Sequence, residues 1–266
     1  MLKNPVTNFN PQLFPKGDVT QFFGSNPALY GSICTPQGCL GGHNGWDIVR
    51  PHGTPVMAVA GGKVVECKEQ PEGYGKQIRI LDALNQEWVY GHASEILVSL
   101  GQSVAAGQPV IKMGNTGFVV SGATPYWANN PFAGTHLHLG KRIFQPYAGT
   151  GGWNIQYASG DKGTILNMDN GFLGSVPFLP EDFEGYISPP KPSYRFLFDL
   201  EYGMVGVPVK ELQDILRLEG VFFAQSTGNF YNQTKEAVKK FQKKYGIQQV
   251  GRVGPITRSK LMQLYP

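Results

Sequence analysis

The chain has 266 residues, enough for one large domain or two smaller ones, and 41% of them are hydrophobic, enough to build a core. The net charge of +4 is too weak to argue for nucleic acid, although it suits an acidic polymer such as a bacterial wall. With 35 glycines, 20 prolines and only 16% charged residues, the composition favours turn-rich β structure over helical bundles.

The first 24 residues show no continuous apolar run and no small-residue cleavage site, so no signal peptide is expected. No later stretch is long and apolar enough for a membrane span. Cys34 and Cys39 bracket a short turn. Two thiols cannot close a four-coordinate structural zinc site, which leaves a local disulfide or two free thiols. Short apolar runs at 54–60, 62–67, 76–81 and 87–91 alternate with glycine turns, and 76–81 has the period-2 alternation of a half-buried strand. Residues 1–184 therefore read as a mainly β, antiparallel domain.

Pro189, Pro190 and Pro192 make 185–195 a semi-rigid, proline-rich linker. Beyond it the texture turns helical. Val209, Leu212, Ile215 and Leu216 form one apolar stripe, and Val238, Phe241 and Tyr245 a second. Asn232 or Thr234 is placed to cap the second helix, and Gly246 to end it. Pro255 opens a third helix with Ile256, Leu261 and Leu264 on its apolar side. Residues 196–266 thus predict a small all-α, three-helix domain. Lys239, Lys240, Lys243 and Lys244 read as a solvated helix face. No tandem repeat is visible.

Four of the 5 histidines sit in compact settings: His43 before Asp47, His92 in Gly-His-Ala-Ser, and the pair His136/His138. In a strand, His136 and His138 project into one space while Leu137 and Leu139 enter the core. His43 and Asp47, four apart around Gly45, again share a side. An imidazole and carboxylate set with one position left open is what a catalytic zinc requires, because the ion acidifies water and polarises a carbonyl. Histidines left over supply a base, an acid or an oxyanion donor. His52, after Arg50-Pro51, reads as a loop histidine.

These motifs, in this order, resemble the lysostaphin-type zinc endopeptidases of bacterial cell-wall turnover. The resemblance covers roughly 18–145 and includes the glycine frame Gln21-Phe-Phe-Gly24, Gly53-Thr-Pro-Val56, Gly61-Gly-Lys-Val64 and Gly114-Asn-Thr-Gly117. It implies the lysostaphin-type β metallopeptidase fold, Zn2+ held by His43, Asp47 and His138, His136 as catalytic base, and His92 as its partner in stabilising charge. The interposed segment 118–134 departs from the family. It reads as a surface loop with packed aromatics, or as a groove wall with Tyr126 and Trp127 as substrate-binding residues. From Tyr202 onward the chain is similar to the three-helix peptidoglycan-binding domain, on Val209–Leu216, Gly228-Asn-Phe230, Phe241-Gln242 and 251–257.

The reading that follows is a monomeric peptidoglycan endopeptidase acting on the bacterial cell wall. With no signal peptide expected, it fits a phage lysin, a virion-borne enzyme or a processed secreted form. A non-catalytic wall-binding protein, or a wall amidase or carboxypeptidase, stands as the alternative.

Overall fold

A computed structural model describes the chain except at 13–16, 36–37, 122–123, 126–129, 148–151, 187–193, 223, 225 and 266. Tyr126 and Trp127, and most of the linker expected at 185–195, lie outside the described residues. The chain divides into two units, Met1–Tyr186 and Ile187–Pro266. Among the described residues no helix is long and apolar enough to cross a membrane.

The first unit carries, in order, β1 (Val19–Gln21), α1 (Pro27–Tyr30), β2 (Cys34–Thr35), β3 (Gly38–Cys39), β4 (Trp46–Ile48), β5 (Pro55–Met57), β6 (Gly62–Gln70), β7 (Gly75–Asp82), β8 (Gln86–Ile96), β9 (Ser103–Val104), β10 (Pro109–Met113), β11 (Val120–Ser121), β12 (Thr124–Pro125), β13 (Leu137–Pro146), β14 (Trp153–Gln156) and β15 (Lys162–Ile165). The central sheet runs β1-β4-β13-β8-β7-β6-β9, with β10 joined to β5 and β8, and β15 joined to β13 and β14. Its pairings are antiparallel, as the alternating runs require. Cys34 and Cys39 face each other across β2–β3 and are joined by a disulfide.

Ile78, Ile80, Trp88 and Tyr90 form the main core, each at most 1% exposed. The opposite face of β7 departs from the half-buried expectation, since Gln77 and Arg79 are buried too. That face is covered by a second cluster of Val65, Phe144, Tyr157 and Ile165. Burial of Arg79 is made tolerable by Glu66 at 3.1 Å and Glu87 at 3.3 Å. Glu87 also meets Arg142 at 3.4 Å and accepts the Tyr157 hydroxyl. Such a cluster stands because its charges are paired.

The second unit holds α2 (Val207–Leu218), α3 (Asn232–Lys244) and α4 (Pro255–Leu264) around Phe196, Leu212, Phe230, Phe241 and Leu261. The helices expected from the apolar stripes are present, but three details differ. Neither Asn232 nor Thr234 caps α3: its N-cap is Tyr231, with no side-chain cap bond. Ile256 is 73% exposed, and Thr257 takes the inward position instead. A repeat does exist, in hydrogen bonds rather than in residue identity. Gln213 Nε2 donates to Asn229 O and Thr234 Oγ1, and its Oε1 accepts from Gly228 N. Gln242 Nε2 donates to Arg252 O and Thr257 Oγ1, and its Oε1 accepts from Gly251 N. Each buried glutamine thus ties its helix to the next loop and the next helix start, which is why Thr234 and Thr257 turn inward. The ends of α2 and α3 also match: Gly220 and Gly246 have positive φ, and Val221 N→Leu216 O and Ile247 N→Gln242 O close the last turn.

Candidate metal centre

β13 lies between β4 and β8, with His138 opposite Asp47 on one side and Gly91 on the other. Residues facing each other across an antiparallel pair point to the same side of the sheet, so this register brings the carboxylate to the imidazole. Leu137 and Leu139 are fully buried on the other side, as the alternation predicts. His43 enters from the bend before β4, held by His43 N→Ser25 O and Gly24 N→His43 O.

Three atoms converge. His43 Nε2 lies 3.0 Å from His138 Nδ1 and 3.1 Å from Asp47 Oδ1, and His138 Nδ1 lies 3.2 Å from that oxygen. Among the described residues these three form the group able to hold a metal ion. The spacing fits zinc: bonds of about 2.0–2.1 Å in a tetrahedron place ligand atoms roughly 3.3 Å apart. The donor chemistry fits as well. If both neutral rings donated to Asp47, their N–H groups would oppose each other at 3.0 Å. A cation at the centre lets all three atoms present lone pairs.

Burial alone would raise the Asp47 carboxyl, but His43 and then His136 outweigh it and hold it well below the usual range. Burial pushes His138 down to about 4, with Asp47 pulling partly the other way. Both side chains therefore favour the unprotonated form that metal binding needs.

Two further imidazoles flank the trio. His136 Nδ1 donates to Gly134 O at 2.7 Å, and His92 Nδ1 donates to Thr116 O at 2.7 Å. A carbonyl only accepts, so each Nδ1 carries its hydrogen and each Nε2 keeps its lone pair. The rings are 4.5 Å apart, and His136 Nε2 lies 3.6 Å from Asp47 Oδ1. Burial drives His92 well below its ordinary value, and His136 and His138 add to the effect. His92 reaches this position with a φ of 62°, unusual outside glycine and tolerated by His more readily than by most residues.

Other residues at the site were not singled out from the sequence. The Tyr74 ring stacks on His138 at 4.6 Å, its hydroxyl accepts from Asn44 at 2.7 Å, and its carbonyl accepts His92 N at 2.7 Å. The Tyr30 ring lies 5.1 Å from His43, and its hydroxyl donates to Gln21 at 3.1 Å. The available signal for Tyr74 was its bracketing by Gly73 and Gly75. Gly75 has a positive φ, and a Cβ there would strike Thr116. His52 stands in an exposed turn, outside the metal centre, with its ring 4.8 Å from Phe132.

Residues 41–148 match "Peptidase family M23", and residues 205–261 match "Putative peptidoglycan binding domain". Over 76 residues the chain is 45% identical to "Uncharacterized lipoprotein YgeR" of Escherichia coli (strain K12), covering 29% of this chain and 30% of that protein. Over 92 residues it is 39% identical to lysostaphin of Staphylococcus simulans, covering 34% of this chain and 18% of lysostaphin. It is 38% identical over 92 residues to "Glycyl-glycine endopeptidase ALE-1" of Staphylococcus capitis, covering 34% of this chain and 25% of that protein. The chain thus spans less than a third of the length of each of these relatives. It carries a peptidase family M23 domain followed by a peptidoglycan-binding domain, and the resemblance to lysostaphin-type peptidases holds.

Proposed function

We propose that this chain, an M23 peptidase domain joined to a peptidoglycan-binding domain, is a zinc-dependent endopeptidase that hydrolyses peptide bonds of bacterial peptidoglycan. One observation carries the reading: three lone-pair atoms converge within 3.0–3.2 Å beside two imidazoles whose free Nε2 atoms are fixed by backbone carbonyls. His43, Asp47 and His138 would hold the ion. Zinc bound there supplies Lewis acidity, acidifying water and polarising the scissile carbonyl.

The protein's own groups divide the proton work. His136 is the base, because its side chain is 17% exposed and the Gly134 carbonyl holds the hydrogen on Nδ1, which leaves the Nε2 lone pair facing the site. Burial keeps His92 neutral, so it does not compete for that proton; its Nε2 is left to accept a hydrogen bond from substrate or from the charged His136. His136 then returns its proton to the leaving amine. A peptide target is supported by the printed activity of ALE-1, a glycyl-glycine endopeptidase. The second domain would hold the enzyme on its insoluble mesh and raise the local substrate concentration. This pairing of cutter and anchor supports action on the cell wall, and we propose it as a monomeric, phage-type lysin.

The test is the turbidity of purified wall suspensions. Zinc-loaded protein clears a susceptible wall, a chelator stops the clearing, and restored zinc revives it. Absence of clearing and of soluble products from walls of every cross-bridge type would overturn the reading.

A further inference from the structure

The active face of the sheet continues past His136. From Asp47 the chain runs on through residues 49–52, and it reaches His138 through residues 132–136, so both stretches border this face. Beyond the Asp47/His138 pair, this face opens into a cavity of about 850 Å³ lined by residues 49–52 on one side and by Phe132, Gly134 and Thr135 on the other. The Gly134 carbonyl that fixes His136 Nδ1 belongs to the same wall, so cavity and base are contiguous.

The wall is built rather than loose. Asn115, 8% exposed, donates to both Pro131 O at 2.9 Å and Ala133 O at 3.0 Å. Thr135 Oγ1 donates to Phe132 O at 2.7 Å. This pinned turn holds Phe132 59% exposed, with its ring tilted 53° against His52. An aromatic ring kept in water by a buried asparagine gains nothing for the core. Arg50 is the permanent charge on the lining, and it is spent on Asp18 and on Asn8 O at 3.1 Å. What remains offers two tilted rings, with no carboxylate, no lysine and no unpaired arginine.

We propose that this cavity is a substrate subsite that seats an uncharged peptide segment of the wall, stacked on Phe132 and His52. The inference rests on the endopeptidase reading above. An extended substrate advances about 3.3 Å per residue. The Gly134 carbonyl on the cavity wall holds His136 Nδ1, so an extended substrate that reaches the base enters the cavity beside it. Amide planes stack well on aromatic faces, and loss of such an anchor typically weakens binding about tenfold.

The experiment compares wild type, Phe132→Ala, Phe132→Tyr and His52→Ala on two probes. One is cross-linked muropeptides freed from purified wall by a muramidase. The other is the same peptides stripped of sugar by an amidase. Phe132→Ala raises KM about tenfold on both probes with kcat within twofold and zinc content unchanged, Phe132→Tyr restores KM, and His52→Ala gives a smaller rise. A KM within twofold of wild type for Phe132→Ala overturns the subsite. A KM effect confined to the sugar-bearing probe assigns the cavity to glycan and overturns the peptide assignment. Calorimetric binding of the sugar-free peptides separates this inference from the reading beneath it. If wild type cuts neither probe, the endopeptidase reading fails, while tenfold weaker binding by Phe132→Ala sustains the subsite and equal binding overturns it.

Discussion

Gly45 sits between His43 and Asp47, two of the proposed ligands, and replacing it with alanine tests the metal geometry with a single methyl group. Gly45 is not among the residues of positive φ, so its backbone accepts alanine without conformational strain. The effect is therefore steric. A Cβ at this position would lie 2.7 Å from His138 Nε2, 2.8 Å from His138 Cε1 and 2.5 Å from Leu139 O. Ordinary contacts start near 3.5 Å, so the imidazole or its strand must retreat by about 0.8 Å. Metal sites tolerate roughly 0.2 Å. Overpacking of this kind costs about 1–3 kcal/mol. Much of that cost falls on the zinc-bound state, where His138 has least room to move, so zinc affinity drops about tenfold or more. Competition with a calibrated chelator measures the zinc Kd, and calorimetry records Tm with and without metal. A Gly45→Ala protein that binds zinc within twofold of wild type would refute the placement of His138 as a ligand.

Other outcomes follow from the same geometry. His136→Ala lowers kcat by about 10²–10⁴ while leaving one zinc per chain, checked by metal analysis beside the activity assay; zinc lost together with activity would make His136 a ligand instead. In chelator-stripped protein, burial holds His138 down at about 4 and His92 well below its ordinary value. The unfolded chain therefore takes up protons below about pH 6.5 that the folded chain refuses. Stability present above pH 6.5 is lost as pH falls toward 4, by about 3 kcal/mol for His138 alone. The depressed carboxyl of Asp47 gives way only below that window. Urea titrations at pH 7, 6 and 5 check this, and a flat profile contradicts it. Gln213→Ala strands the buried Gly228 N–H, Gln242→Ala strands the Gly251 N–H and the Arg252 carbonyl, and each destabilises the helical unit by roughly 1–3 kcal/mol, read from its unfolding transition. A loss under about 0.5 kcal/mol in either would show the repeated hydrogen bonds to be incidental.

Much of the site is legible in the sequence because it is written in local periodicity. His136 and His138 with Leu137 and Leu139 between them are a strand pattern that names both its faces. The antiparallel character of the first unit and the three helices of the second come from the same kind of signal. What the sequence hides are contacts made across long separations by residues with no marked pattern. Tyr74 is 64 positions from the histidine it stacks on, and its flanking glycines mark a tight turn without naming that partner. Arg79 and Gln77 look like the wet side of a strand until Phe144 and Tyr157 arrive to cover them. Thr234 reads as a cap because its side chain type favours that role, yet Gln213 claims it for the interior. Ile256 fits an apolar stripe by spacing, but the hydrogen bond from Gln242 turns Thr257 inward in its place. In the last two cases a buried glutamine overrides local preference, because leaving it unpaired costs more than losing a cap or exposing one isoleucine.

In the proposed function, His43, Asp47 and His138 hold a zinc ion with which the chain cuts peptide bonds of the wall. Mass spectrometry of soluble fragments, released from purified peptidoglycan by zinc-loaded and by chelator-treated protein, tests it most directly. New amino and carboxyl termini within the wall peptides are expected in the zinc-loaded sample alone. New reducing ends on the glycan, a cut between sugar and peptide, or equal products from the two samples would contradict it.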